Sequence, residues 1–105
     1  MTAQSTSDLK RYRTEGAFSD VVYKYLDSQE DVRYYISSDR YRRGVADVIA
    51  NVGGTMALLE LKADKGKPSP HQQKFIKDLT SVGGCGGVCY CLRDVKNILE
   101  EARNG

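Results

Sequence analysis

Two largely apolar, strand-like runs, 45–52 and 56–63, meet at Gly53-Gly54, and this pairing constrains the fold more than any other feature of the chain. Gly-Gly between two strand-like runs is a hairpin signal, because the tight two-residue turn needs positive φ at its centre. Each run also carries charge where a core strand should have none. Asp47 lies between Val45 and Val48-Ile49, and Glu60 and Lys62 interrupt Met56-Ala57-Leu58-Leu59 and its continuation. Side chains alternate along a strand, so Glu60 and Lys62 share one face and Leu61 takes the other. The hairpin folds Asp47 and Glu60 towards each other although 12 residues separate them.

The other elements follow from periodicity. Phe18, Val21, Val22, Tyr25 and Leu26 recur at helical spacing, with Thr14 as a cap and Glu15 in the first turn. Residues 32–38 are β-branched and aromatic and read as a strand. Ser69-Pro70 opens a second helix with Phe75, Ile76 and Leu79 as its buried stripe, and Gly83-Gly84 ends it. Residues 87–92 read as a short strand with Val88, Tyr90 and Leu92 on one face. A last helix spans Asp94–Arg103, with Val95, Ile98, Leu99 and Ala102 inward. The order predicts an α/β fold, a mixed sheet of about four strands flanked by helices, with the third and fourth strands parallel across a helical crossover. Residues 1–12 have no apolar period and are expected to form a flexible N-terminal tail, leaving 13–105 as one domain.

Several function classes drop out. The longest apolar stretches, about six residues, are far short of a bilayer span, so no membrane association is expected. The polar N-terminus lacks the apolar middle of a secretory signal, which implies a cytoplasmic protein. Cys85, Cys89 and Cys91 are odd in number and clustered, a poor disulfide framework, and read as reduced, buried thiols. Cys89-x-Cys91 on a strand lacks the helix N-terminus that activates redox thiols. Net charge is only +2, yet from Arg40 to Lys77 eight basic residues stand against three acids, Asp47, Glu60 and Asp64. A basic middle suits a face that meets phosphates.

Two carboxylates brought together repel, and a hard divalent cation relieves that repulsion. Such a cation polarises a phosphodiester and lowers the pKa of bound water, and an adjacent lysine offsets charge developing on the phosphate oxygens. Asp47, Glu60 and Lys62 are therefore the candidate catalytic centre, with Mg2+ or Mn2+ as cofactor. The bland reading of Glu60 and Lys62 is an exposed ion pair worth about 0–1 kcal/mol.

Arg42-Arg43-Gly44-Val45-Ala46-Asp47, Glu60-Leu61-Lys62, Ser69-Pro70-His71-Gln72, Leu79 and Gly83 together resemble, in order and spacing, the VRR-NUC domain of the PD-(D/E)XK nuclease superfamily. The resemblance implies a restriction-endonuclease-like core. It implies metal ligation by Asp47, Glu60 and the Leu61 backbone carbonyl, Lys62 as the catalytic lysine, and Gln72 near the site. Glu15 best matches the family's N-terminal acid, with Asp20 as the alternative. Ala46 departs from the pattern, since it stands where the family has proline. Arg42, Arg43, Lys65 and Lys67 are candidate DNA-backbone contacts. His71 reads as an exposed first-turn residue rather than a general base. Tyr34, Tyr35 and Tyr41 could touch DNA, but alternation puts Tyr34 and Tyr35 on opposite faces, and core or interface packing is the expectation for both. Stand-alone members resemble phage or bacterial junction-resolving nucleases. The implied function is a DNA endonuclease selective for branched substrates such as a Holliday junction, acting in DNA repair as a homodimer. The alternative is a non-catalytic nucleic-acid-binding or adaptor protein that keeps the fold.

Overall fold

The computed structural model describes residues 6–37 and 48–105. Asp47, Arg42, Arg43 and Tyr41 lie outside the described residues.

Helix α1 spans Glu15–Asp27, and Thr14 caps it, its hydroxyl accepting from the Ala17 N–H at 3.1 Å. Phe18, Val22 and Leu26 are buried, one full stripe at i, i+4 and i+8. Strand β1 (Val32–Ile36) follows, then β2 (Val48–Val52) and β3 (Thr55–Leu61). Gly53 and Gly54 have φ of 58° and 101°, the backbone that the tight hairpin demands. Helix α2 (Pro70–Ser81) crosses to β4 (Cys85–Cys89), and α3 (Leu92–Asn104) closes the chain. The sheet order is β1-β2-β3-β4, with antiparallel pairs except for the parallel β3–β4 pair, as the crossover requires.

Helices α1 and α3 cover one face of the sheet. Val48, Ala50, Val52, Ala57, Leu59, Leu61, Cys85 and Cys89 point there and meet Phe18, Val22, Leu26, Val95 and Leu99. Each large side chain fully buried there contributes about 1.5–3 kcal/mol. Of the described helices, α2 packs on the other face, over β4. No described helix is long and apolar enough to cross a membrane.

Three expectations need correction. The stripe Phe75-Ile76-Leu79 is not buried: no α2 residue is, and Phe75 is 36% exposed. Among the described residues, no second helix flanks α2 on that face to seal its stripe. The fourth strand is Cys85–Cys89 rather than 87–92, and Leu92 begins α3. The glycines there look like turn residues, yet they pair because helices press on both sides. A Cβ at Gly87 would stand 3.2 Å from Ile98 of α3, and one at Gly86 would stand 3.5 Å from Ile76 of α2. The expected loose tail is docked from residue 6 onward. Thr6–Leu9 form a 3-10 turn whose Asp8, buried, accepts from Arg93 at 2.9 Å and Lys96 at 3.0 Å on α3. A lone aspartate in a polar stretch carries no periodic signal for this.

Gly84 is the tightest of these approaches, since a Cβ there would lie 2.6 Å from Leu79 Cγ. Gly84→Ala should therefore destabilise the fold by about 1–3 kcal/mol, measured by urea unfolding. A midpoint equal to the parent's would show that α2 simply shifts outward.

Candidate active site

The site forms where β3 ends beneath the N-termini of two helices. Apolar burial on both sides holds β3 in the sheet, and this carries Glu60 to 0% exposure on the α2 face. Lys62 continues the ladder one step past Leu61, its N–H donating to the Cys89 carbonyl at 2.9 Å. Lys62 thus shares Glu60's face, as alternation requires, and its ammonium lies 3.4 Å from Glu60 Oε1. Only 14% of the Lys62 side chain is exposed, so this is no surface ion pair.

Two capped helix starts bring the remaining groups. Thr14 fixes the first turn of α1, and Glu15 Oε1 lies 3.7 Å from the Lys62 ammonium. Asp20, the alternative acid, is exposed further along α1. At α2, Ser69 and Gln72 form a reciprocal capping box. The Gln72 N–H donates to Ser69 Oγ at 3.1 Å, and Gln72 Oε1 accepts from the Ser69 N–H at 2.8 Å. With its oxygen so engaged, the amide presents Nε2 to the acid and donates to Glu60 Oε1 at 2.6 Å. Glu15, Glu60, Lys62 and Gln72 therefore meet at one point, although they come from three elements.

Leu61 is buried on the opposite face. Lys65 and Lys67 are exposed on the turn after β3, and His71 is exposed in the first turn of α2. Val48, the residue after Asp47, is the Cα partner of Leu59, the residue before Glu60. Among the described residues, no group of three or more His, Cys, Asp or Glu could by itself hold a metal ion.

Tyr34 and Tyr35 point to opposite faces, as expected. Tyr34 stacks on Tyr23 and donates to Asp27 Oδ1 at 2.7 Å, while Tyr35 is exposed. The Asp27 carboxylate holds the phenol proton, and the Tyr34 pKa is pushed up to about 12. The folded state keeps this proton after the unfolded chain has lost it, so stability falls as pH rises from about 10 to about 12. Asp27→Asn should move one tyrosinate absorbance step to lower pH. An unchanged titration would separate Tyr34 from Asp27.

All three cysteines are free and buried, and burial, with Glu101's charge nearby, pushes the Cys85 thiol up. Thiol reagents at neutral pH should label the native chain far more slowly than the unfolded one.

No family model matches the chain, and no curated protein does. A solved structure described as a VRR_NUC domain is similar to it, at 19% identity and a TM-score of 0.57, covering 82% of this chain and 90% of that one. The chain thus has the fold of a VRR-NUC domain.

Proposed function

We propose that the chain is a Mg2+- or Mn2+-dependent endonuclease that hydrolyses DNA phosphodiester bonds. The observation carrying this reading is the fully buried Glu60 with a nearly buried lysine 3.4 Å away, at the mouth of a VRR-NUC fold. A carboxylate this deep is costly to ionise without compensating positive charge or hydrogen-bond donors. The donor set fits a hard cation: Glu60, Asp47 one residue before the partner of Leu59, and the Leu61 carbonyl offer only oxygen. Bound there, the cation would polarise the scissile phosphate and acidify a water.

The chain's own residues do the rest. Gln72 holds Glu60 in one orientation through its amide. Lys62 donates towards the attacking water and the phosphate oxygens, where its charge counts most as negative charge grows. Glu15, 3.7 Å from the Lys62 ammonium, keeps it aimed. Arg42, Arg43, Lys65 and Lys67 meet the DNA backbone.

The feature read is the shape of the DNA, such as a branched junction, rather than its base sequence. A homodimer would present two sites to the two cleavage points of a four-way junction. The reading places the protein in the cytoplasm, in DNA repair. The test is incubation of labelled four-way, flap and linear DNA with magnesium, manganese or chelator, alongside Asp47→Asn and Glu60→Gln. Metal-dependent nicking of branched DNA, lost in both variants while binding persists, is expected. No cleavage of any substrate with either metal would replace the nuclease by a binding or adaptor role. A monomer at micromolar concentration in sedimentation would remove the dimer.

A further inference from the structure

Beside the site, and sharing a wall with it, is a pocket of about 270 Å³ lined by Arg13, Ala63, Asp64, Lys65 and Gly66. Its two sides are tied together. The Asp64 N–H donates to the Tyr12 carbonyl at 2.9 Å, so the segment before α1 runs along the turn after β3. Arg11 strengthens the seam: its guanidinium lies over the Tyr90 ring at 4.9 Å and meets the Asp64 carboxylate at 3.6 Å.

The charges then divide unequally. Arg11 is engaged in the seam and offsets Asp64. Arg13 and Lys65 reach the same pocket from opposite sides, and among the described residues neither side chain is paired with an acid. The concave site itself is lined by two cations and one carboxylate, and Arg11 in the seam beside it offsets that carboxylate. Concavity with a low-dielectric wall concentrates that potential. Gly66 forms the wall shared with the catalytic lysine: its N–H closes the turn on the Ala63 carbonyl at 2.9 Å, and a Cβ there would lie 3.4 Å from Lys62 Cβ and Cδ. An anion held here sits one turn of backbone away from Lys62.

We propose that this pocket, between Arg13 and Lys65, holds a phosphate of the DNA strand next to the phosphate that is cut. The proposal rests on the nuclease reading for the identity of the polynucleotide. It adds Arg13, from the segment before α1, as a backbone clamp, and makes Lys65 its partner. The clamp fixes where the strand lies relative to Lys62 without reading any base.

Binding of a fluorescently labelled DNA duplex, followed by anisotropy in chelator across a salt series, tests the clamp apart from catalysis. Arg13→Gln and Lys65→Gln should each weaken binding roughly three- to tenfold at low salt, and each should lower the slope of log affinity against log salt by about one. The double variant should lower that slope by about two. Lys24→Gln, which removes the same charge near the far end of α1, should leave the slope at the parent's value. Slopes unchanged in Arg13→Gln and Lys65→Gln, or lowered equally in Lys24→Gln, would overturn the clamp. Cleavage by the unaltered chain with magnesium or manganese is scored separately. Arg13-dependent binding without any cleavage would sink the nuclease and keep the pocket, whereas cleavage with Arg13-independent binding would do the reverse.

Discussion

Lys62→Ala should slow DNA cleavage by roughly 10²–10³-fold, the scale for losing one group that stabilises charge developing in a transition state. The same substitution should also destabilise the fold. Glu60 is fully buried, and Lys62→Ala takes away the ammonium 3.4 Å from it while the Gln72 amide stays. Removing one partner of a buried pair costs about 3–5 kcal/mol, and the slight exposure of Lys62 brings the expectation to about 2–4 kcal/mol. An activity loss alone would then be ambiguous, because a partly unfolded nuclease is also a slow one. The double variant Glu60→Gln, Lys62→Met removes the ambiguity. It replaces the ion pair by neutral groups of similar size, so it should recover most of the lost stability, since only the broken pair is strongly unfavourable. It should remain as inactive as the single variants. Urea midpoints and cleavage rates on the parent, Glu60→Gln, Lys62→Met and the double variant, which close one cycle, decide the matter. A double variant that regained both stability and activity would make the pair a structural device and nothing more.

Phe18→Ala should cost about 3–5 kcal/mol. Phe18 is completely buried, stacks on Tyr12 with ring centroids 5.5 Å apart, and anchors the first half of α1 to the sheet. A domain of this size has about 5–15 kcal/mol in total, so the variant would stand near the edge of folding. Its melting temperature should fall on the order of 20 °C. The loss also reaches the site, because Glu15 lies one turn before Phe18. Thermal unfolding followed by circular dichroism checks the first effect. A drop below about 1 kcal/mol would mean that Tyr12 closes over the gap.

Much of this could be read from residue order, and the reasons differ by element. The hairpin was legible because Gly53-Gly54 is a local signal whose geometry admits few alternatives. The two helix starts were legible because Thr14 and Ser69 cap within three residues of themselves. The common face of Glu60 and Lys62 follows from strand alternation, whereas Gln72 and Glu15, which the structure puts within reach of them, were suggested only by the family resemblance. What stayed hidden depends on contacts distant in sequence. Asp8 finds Arg93 and Lys96 more than 80 residues away, and nothing near Asp8 announces it. The span of β4 was misplaced because a glycine run signals a turn locally, while two helices pressing on one strand demand the same glycines globally. Arg13 was passed over for a similar reason: only the seam between Tyr12 and Asp64 turns an exposed arginine into a pocket wall.

The amide of Gln72 ends the backbone deficit of one helix and grips a buried acid with its other arm. Glutamate is an equally favoured residue at that place in a capping box. Here it would set two carboxylates against each other at hydrogen-bond distance. An engineer who toughened this helix by the usual recipe would trade away the hydrogen bond that holds the acid beneath it. In so small a scaffold the choice of one neutral side chain over its charged twin records a compromise between staying folded and keeping an acid in place.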